Sequence, residues 1–218
     1  ERIMSRVAAG SATPRDLAGL RSSLLLTEKF EAWFASYPQL LPHLKEVFDT
    51  NAASLKEVSA LLFAAINENP PLKQSDGGII RKGYNAELDE LNELKDHADR
   101  ALADIAAREK EKTGISTLKV GYNSVFGYYI EVSKGQSAKV PYDYVRKQTL
   151  TNGERFITEE LKELEKKILT AQDKSLRIEL ALFEEIKRYL YHKIDLLKST
   201  AKALAQADCF YSFAIAAI

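Results

Sequence analysis

From Thr158 to the last residue the chain contains neither glycine nor proline. These two residues oppose helix formation most strongly, so nothing in the backbone chemistry there interrupts a helix. Leu161, Leu164, Ile168, Ala171, Ile178 and Leu182 follow a seven-residue repeat, and the pattern then shifts and runs on through Ile186, Leu190, Ile194 and Leu197. Thr158 is the expected N-cap, with Glu159 and Glu160 favourably placed in the first turn. At about 1.5 Å per residue this helix would reach about 60 Å. Its narrow apolar seam requires a partner.

An earlier segment supplies one. From about Asn85, residues Leu91, Leu94, Ala98, Ala101 and Ile105 alternate at three- and four-residue steps, which predicts an outgoing helix of about 40 Å. Two such helices can bury each other's seams and form a long antiparallel arm. Residues 85–113 hold nine acidic side chains against five basic ones. Carboxylates one turn apart, such as Asp89 and Glu93, have no histidine or third ligand beside them, so they read as a solvated face rather than a metal or acid/base pair.

Between the two helices the character changes. Residues 116–157 carry five tyrosines, β-branched residues and turn signals. Leu118, Val120 and Tyr122 alternate with Lys119 and Gly121, and Asn123-Ser124 offers a turn. A second strand runs from Phe126 to Val132, with Tyr128, Ile130 and Val132 on one face. Arg146–Leu150 and Glu154–Ile157 form a hairpin around Thr151-Asn152-Gly153, where Asn-Gly is a strong two-residue turn signal. Residues 116–153 hold five basic side chains (Lys119, Lys134, Lys139, Arg146 and Lys147) against Glu131 and Asp143. A polyanion would be attracted to this sheet and repelled by the acidic helix. Tyrosines among basic residues could be stacking platforms for single strands or simply good sheet formers.

The first third reads as shorter helices. Thr13 is an N-cap, Pro14 occupies the first helical position and Asp16 the first turn. Leu17, Leu20, Leu24, Leu25, Phe30, Trp33 and Phe34 mark one face, with Trp33 expected in the core, and Tyr37-Pro38 ends the helix. A further helical pattern covers roughly 51–66, and Ile79-Ile80 follow a glycine loop as a short pinned strand. The fold class is therefore mainly α with a small β insertion. A helical bundle at the base carries a long antiparallel arm with an antiparallel sheet at its tip. The divisions fall at residues 1–114, 115–157 and 158–218. Only Gly114 and Phe156–Thr158 join the sheet to the helices, so few apolar contacts should cross and the sheet should move as a body.

Composition narrows the function. The 218 residues balance 31 basic against 31 acidic side chains, so global charge selects no partner. One cysteine, Cys209, excludes an internal disulfide and fits a reducing compartment; among apolar neighbours it reads as a buried small hydrophobe. No apolar run is long enough to span a membrane, and no signal peptide opens the chain. His43, His97 and His192 lie far apart in sequence, which argues against a metal site. No nucleophile, base and orienter converge, so no enzyme activity is expected of these residues. The opening ERIMSRV and the apolar SFAIAAI at the end suggest a piece of a longer protein.

The stretches VGYNSVFGYYIEVSK and VPYDYVRKQTLTNGERFITEELKELE closely resemble the clamp of the MutS family of DNA mismatch-repair proteins. ERIMSRVAAGSATPRDLAGLRSSL resembles that family's lever opening, GGIIRKGYNAELDEL the start of its outgoing lever helix, and LAQADCFYSFAIAA the segment before its ATPase domain. The likeness is nearer to the bacterial mismatch-recognising members than to the branch with a nuclease tail. It implies a lever and clamp whose tips touch the phosphate backbone of duplex DNA, without sequence preference. It also implies a parent that is a homodimer in the bacterial cytoplasm, a partner of MutL, and an ATPase using ATP and Mg2+. Neither the family's Gly-x-Phe-x-Glu mismatch wedge nor a G-x-x-x-x-G-K-[ST] nucleotide loop occurs here, so no cofactor is expected in these residues.

Carried over position by position, the family's backbone contacts fall on Asn123, Lys147, Thr151 and Asn152. The asparagines and the threonine can donate to phosphate oxygens and Lys147 brings charge, although turn geometry alone would also account for both asparagines. Family members often place a longer basic residue at the Thr151 position, an arginine at Lys147 and an alanine at Gly153. A helical arm whose β tip binds a protein partner is the alternative.

Overall fold

The computed structural model describes residues 1–37, 39, 41–123 and 125–217. Six helices and four strands follow in the order α1 (Arg2–Ala8), α2 (Pro14–Ser36), α3 (Pro42–Ala65), α4 (Ala86–Thr113), β1 (Lys119–Asn123), β2 (Gly127–Ser133), β3 (Val145–Thr149), β4 (Gly153–Ile157), α5 (Glu159–His192) and α6 (Ile194–Ala216). The chain divides into two compact units. One comprises Glu1–Ala86 with Leu176–Ile218, and the other Glu87–Ser175. Helix α5 contributes its first half to one unit and its second half to the other.

The first unit is a helical bundle. Thr13 and Asp16 form a full capping box, the Thr13 hydroxyl accepting the Asp16 N–H at 3.2 Å while the Asp16 carboxylate accepts the Thr13 N–H at 2.9 Å. Burial works to raise the Asp16 pKa, but the Thr13 donors and Arg6 outweigh it and hold the carboxyl below its ordinary value. Helix α3 starts nine residues before the sequence pattern suggested, because Pro42 sits at its first position where no N–H is needed. Phe34, Leu44, Phe48 and Ala203 form the core between α2, α3 and α6. Asn51 ties α3 to α6 by donating to Ser199 Oγ and Thr200 Oγ1, both at 3.0 Å. The Ile79-Ile80 segment is pinned as expected. It bridges to Ile66, and the buried Glu179 carboxylate accepts the N–H groups of Gly78 (2.7 Å) and Ile80 (3.2 Å).

Two core assignments are corrected. Trp33 is 41% exposed, because the buried face of α2 runs through Leu17, Leu20, Arg21, Leu24, Thr27 and Phe34, and the indole lies beside that face against Phe34 and Tyr37. Arg21 can occupy the buried face because its guanidinium donates to the carbonyls of Ile66, Asn67 and Glu68. Cys209 is exposed, as are Phe210, Tyr211, Phe213 and Ile215 around it on the last turns of α6. Pro38 lies outside the described residues, and α2 ends with Tyr37 as its C-cap.

The return helix is broken once, at Lys193, where the backbone leaves helical geometry and its N–H donates to the Leu190 carbonyl at 3.0 Å. No glycine or proline marks the break, which lies between Leu190 and Ile194 of the second apolar pattern. The seams of α4 and α5 are only partly closed. Ala98, Ile105, Leu161, Ile168 and Ala171 are buried, whereas Leu94 is 57% exposed beside an apolar groove of about 810 Å³ between the helices. Alanines at three seam positions leave too little side chain to fill the space, so the knobs-into-holes contact of a coiled coil is not completed.

Ile168, 2% exposed, and Leu94 therefore separate the two states of this seam. Ile168→Asp buries an unpaired carboxylate and should cost about 3 kcal/mol or more, lowering the thermal midpoint by circular dichroism. Leu94→Asp should change that midpoint little; equal losses would show that the groove is closed in solution.

Candidate nucleic-acid interface

The four strands form one antiparallel sheet in the order β1-β2-β4-β3. Its strands start and end close to where the alternation placed them, and the period of two sets its faces. Ile130, Val132 and Phe156 point to one side and join Ile115, Leu118, Tyr144 and Leu161 in a single buried cluster, with Leu102 of α4 packed against it. The expectation of a thin junction is thereby overturned, because the sheet and the helix ends that carry it share one core. Burying such side chains contributes about 1.5–3 kcal/mol each. A polar latch adds to it. Glu109, 6% exposed on α4, accepts a hydrogen bond from the Tyr144 hydroxyl at 2.5 Å. Burial, then the bond to Glu109 and its charge, push the Tyr144 phenol far above its ordinary pKa. Lys112 and Arg108 stand 3.8 and 4.0 Å from the same carboxylate, and Arg108 also pairs with Glu160 at the start of α5.

The opposite face is a polar row. Arg155 donates to Glu131 at 2.9 Å and to Gln148 at 3.0 Å, and its guanidinium lies 4.2 Å from the centre of the Tyr129 ring. On the other side, where Glu154 stands opposite Val132 and Arg146 opposite Phe156, Arg146 pairs with Glu154 at 3.2 Å. Both arginines of the sheet are thus neutralised internally. Among the described residues, the cations of this sheet and its loops without an ion pair are Lys119, Lys134, Lys139 and Lys147, all exposed. Most of the tyrosines are engaged as well. Tyr122 and Tyr128 pair across β1 and β2 with ring centres 4.9 Å apart, Tyr129 lies under Arg155 and Tyr144 is latched; Tyr142 stands fully exposed.

The four candidate residues divide into two groups. Lys147 lies on β3 at a register shift: Arg146 pairs with Phe156 and Gln148 with Arg155, leaving Lys147 as the extra residue of a bulge. Thr151 and Asn152 are exposed in the loop that joins β3 to β4. That loop is not the Asn-Gly turn the sequence suggested. Leu150 N–H donates to Gly153 C=O at 2.8 Å, so Thr151 and Asn152 are the loop residues, and neither Asn152 nor Gly153 has the positive φ a primed turn needs. Gly153 is required for another reason. It pairs with Ser133, and a Cβ on it would come within 2.8 Å of the Val132 carbonyl oxygen.

Asn123 lies at the other end of the sheet. It pairs with Gly127, whereas the loop end of β2 is Ser133 paired with Gly153, six residues or about 20 Å along the strand. Its Oδ1 accepts the Val125 N–H at 2.8 Å, so the turn reading accounts for one half of the carboxamide while the NH₂ keeps its donors. Ser124 lies outside the described residues. This end is acidic: a Cβ on Gly127, whose φ is +76°, would overlap the Glu165 carboxylate. The Tyr128 phenol is held above its ordinary pKa by burial first and then by Asp99, Tyr122 and Glu165. Sequence reasoning missed Arg155, Gln148 and the Tyr144–Glu109 latch, since no local spacing signals a pairing across strands or with a helix.

Among the described residues, no group of three or more His, Cys, Asp and Glu side chains could hold a metal ion, and no helix is long and apolar enough to cross a membrane. The 218 residues contain no G-x-x-x-x-G-K-[ST] sequence.

The geometry defines a helical protein with a four-stranded sheet built onto the ends of two of its helices. Residues 83–174 match the family model described as MutS family domain IV, a range that nearly coincides with the second compact unit. The whole chain aligns, at 46% identity over 217 residues, with the DNA mismatch repair protein MutS of Alkaliphilus oremlandii (strain OhILAs), covering 24% of that relative's length. The chain belongs to the MutS family.

The latch carries a test. Tyr144→Phe removes the hydroxyl that satisfies a buried carboxylate and should cost about 1–3 kcal/mol in a denaturant titration. Glu109→Gln keeps an acceptor for that hydroxyl and should cost less; the reverse order would mean that the lysine and arginine, not the tyrosine, hold Glu109.

Proposed function

We propose that the sheet of the second unit grips the sugar-phosphate backbone of duplex DNA, without reading its sequence, as part of a mismatch-repair protein. The observation that carries this reading is the distribution of free cations. The arginines of the sheet are tied to Glu131 and Glu154, while the lysines and the β3–β4 loop remain open to solvent. Lys147, Thr151 and Asn152 supply one charge and two neutral donors on one hairpin, the chemistry of a phosphate contact. Asn123 would add a separate contact from the far end of the sheet, through its NH₂, which donates to no other group among the described residues. The name of the aligned relative supports the assignment to mismatch repair. Because Leu118, Ile130 and Leu161 share one core, force on the helix ends is passed directly to the sheet, which suits a lever carrying a DNA contact. The same reading places ATP hydrolysis with Mg2+, mismatch insertion, dimerisation and the MutL contact in segments of the parent other than these residues.

Binding of the chain to a labelled homoduplex should be weak, about 10⁻⁴–10⁻⁶ M, and should fall steeply as salt rises. Lys147→Glu should weaken it on every sequence and flatten the salt slope, and Asn152→Ala should weaken it with the slope unchanged, since an amide displaces no counterion. Asn123→Ala should have a smaller effect, given the carboxylates at that end. Lys110→Glu on α4 is the control and should do least. Salt-independent binding, or a preference for a mismatched duplex, would refute a backbone clamp, and the former would favour a protein-binding tip.

A further inference from the structure

Lys147 is not the cation nearest the loop. It lies in mid-strand on β3, at the level where β4 places Arg155 and Phe156, several residues back from Asn152. The residue joined to the loop is Lys134, at the end of β2. Its N–H donates to the Asn152 carbonyl at 3.1 Å, immediately beyond the last rung of the sheet, Ser133 with Gly153. The two backbones there are as close as side-chain-free packing allows, as the Val132 carbonyl against Gly153 shows.

We propose that Lys134 is a further phosphate-binding residue of this interface, acting beside Asn152 while Lys147 takes a different phosphate of the duplex. The proposal rests on the reading of the sheet as a DNA-backbone contact. Lys134 is exposed and has no ion pair among the described residues. The groups bonded around the end of β2 are neutral: the Thr117 hydroxyl lies 2.9 Å from the Ser133 hydroxyl and donates to the Gln136 carboxamide oxygen at 2.8 Å. An ammonium with no carboxylate at ion-pair distance among the described residues is left to attract an anion. Lys134 and Lys147 stand two strands and about three residues of rise apart, on the order of 15 Å. Duplex DNA presents a charge about every 1.7 Å along its axis, so each lysine finds its own phosphate. The backbone bond between Lys134 and Asn152 further ties the position of this cation to that of the loop, so charge and amide approach the backbone together.

The test is fluorescence anisotropy of a labelled homoduplex titrated with the 218-residue chain over a salt series. Lys134→Gln should weaken binding several-fold at low salt and reduce the slope of log K against log salt by about 0.9, the loss of one neutralised phosphate. Lys134→Arg should restore both, and the thermal midpoint of Lys134→Gln should match that of the unaltered chain. If Lys147→Glu and Asn152→Ala weaken binding while Lys134→Gln leaves affinity and slope unchanged, the inference is overturned and the clamp reading survives. If Lys134→Gln weakens binding with the slope intact, the residue shapes the loop and does not meet phosphate, which also overturns it. If none of the three variants changes binding, the clamp reading itself has failed.

Discussion

The sheet would have no fixed place without the cluster formed by Ile115, Leu118, Ile130, Val132, Phe156 and Leu161. A four-stranded sheet of five- to seven-residue strands has one apolar face and must cover it. Here the covering comes from the residues that leave α4 and enter α5, so the sheet and the helix ends stabilise one another. The Tyr144–Glu109 bond lies at the edge of this cluster and connects the segment leading into β3 to the last turns of α4. It is buried and charge-assisted, which makes it directional where the apolar contacts are not. The bond thus ties the end of α4 to the segment that leads into the strand carrying Lys147.

The pairing of the sheet's charges follows from the same register. Glu131 stands opposite Arg155 on the outer face, while on the other face Glu154 opposite Val132 and Arg146 opposite Phe156 are diagonal neighbours, so each carboxylate falls within reach of an arginine. A guanidinium with a planar fork is well suited to such pairs, and the lysines are left to solvent. The sheet is also polar along its length. Glu165 and Asp99 lie near the β1–β2 turn, while neutral hydroxyls and amides surround the β3–β4 loop. A count of charges by sequence segment could not resolve how these groups are divided between the two ends.

The helices, the strands and their inward-facing residues were legible in the sequence. The Thr13 cap, the period of Ile130, Val132 and Phe156, and the absence of helix breakers after Thr158 each act through backbone geometry within a few residues. The resemblance carried by RKQTL and the segments around it fixed the family by the same route, from contiguous residues. The candidate site was legible as a hairpin, and its turn was misassigned, because the glycine serves a close approach to β2 that only strand pairing creates.

Tertiary structure decided the rest. Whether Trp33 and Cys209 are covered, whether the α4–α5 seam closes, and where Lys193 breaks the return helix depend on which surfaces meet. Which cations are free depends on partners such as Glu131 and Arg155, 24 positions apart, and the adjacency of Lys134 to Asn152 arises only when β2 pairs with β4. Periodicity and capping are local properties that a single sequence carries in full. The covering of a face and the neutralisation of a charge are properties of pairs of residues brought together by the fold, and the sequence supplies those residues without stating that they meet.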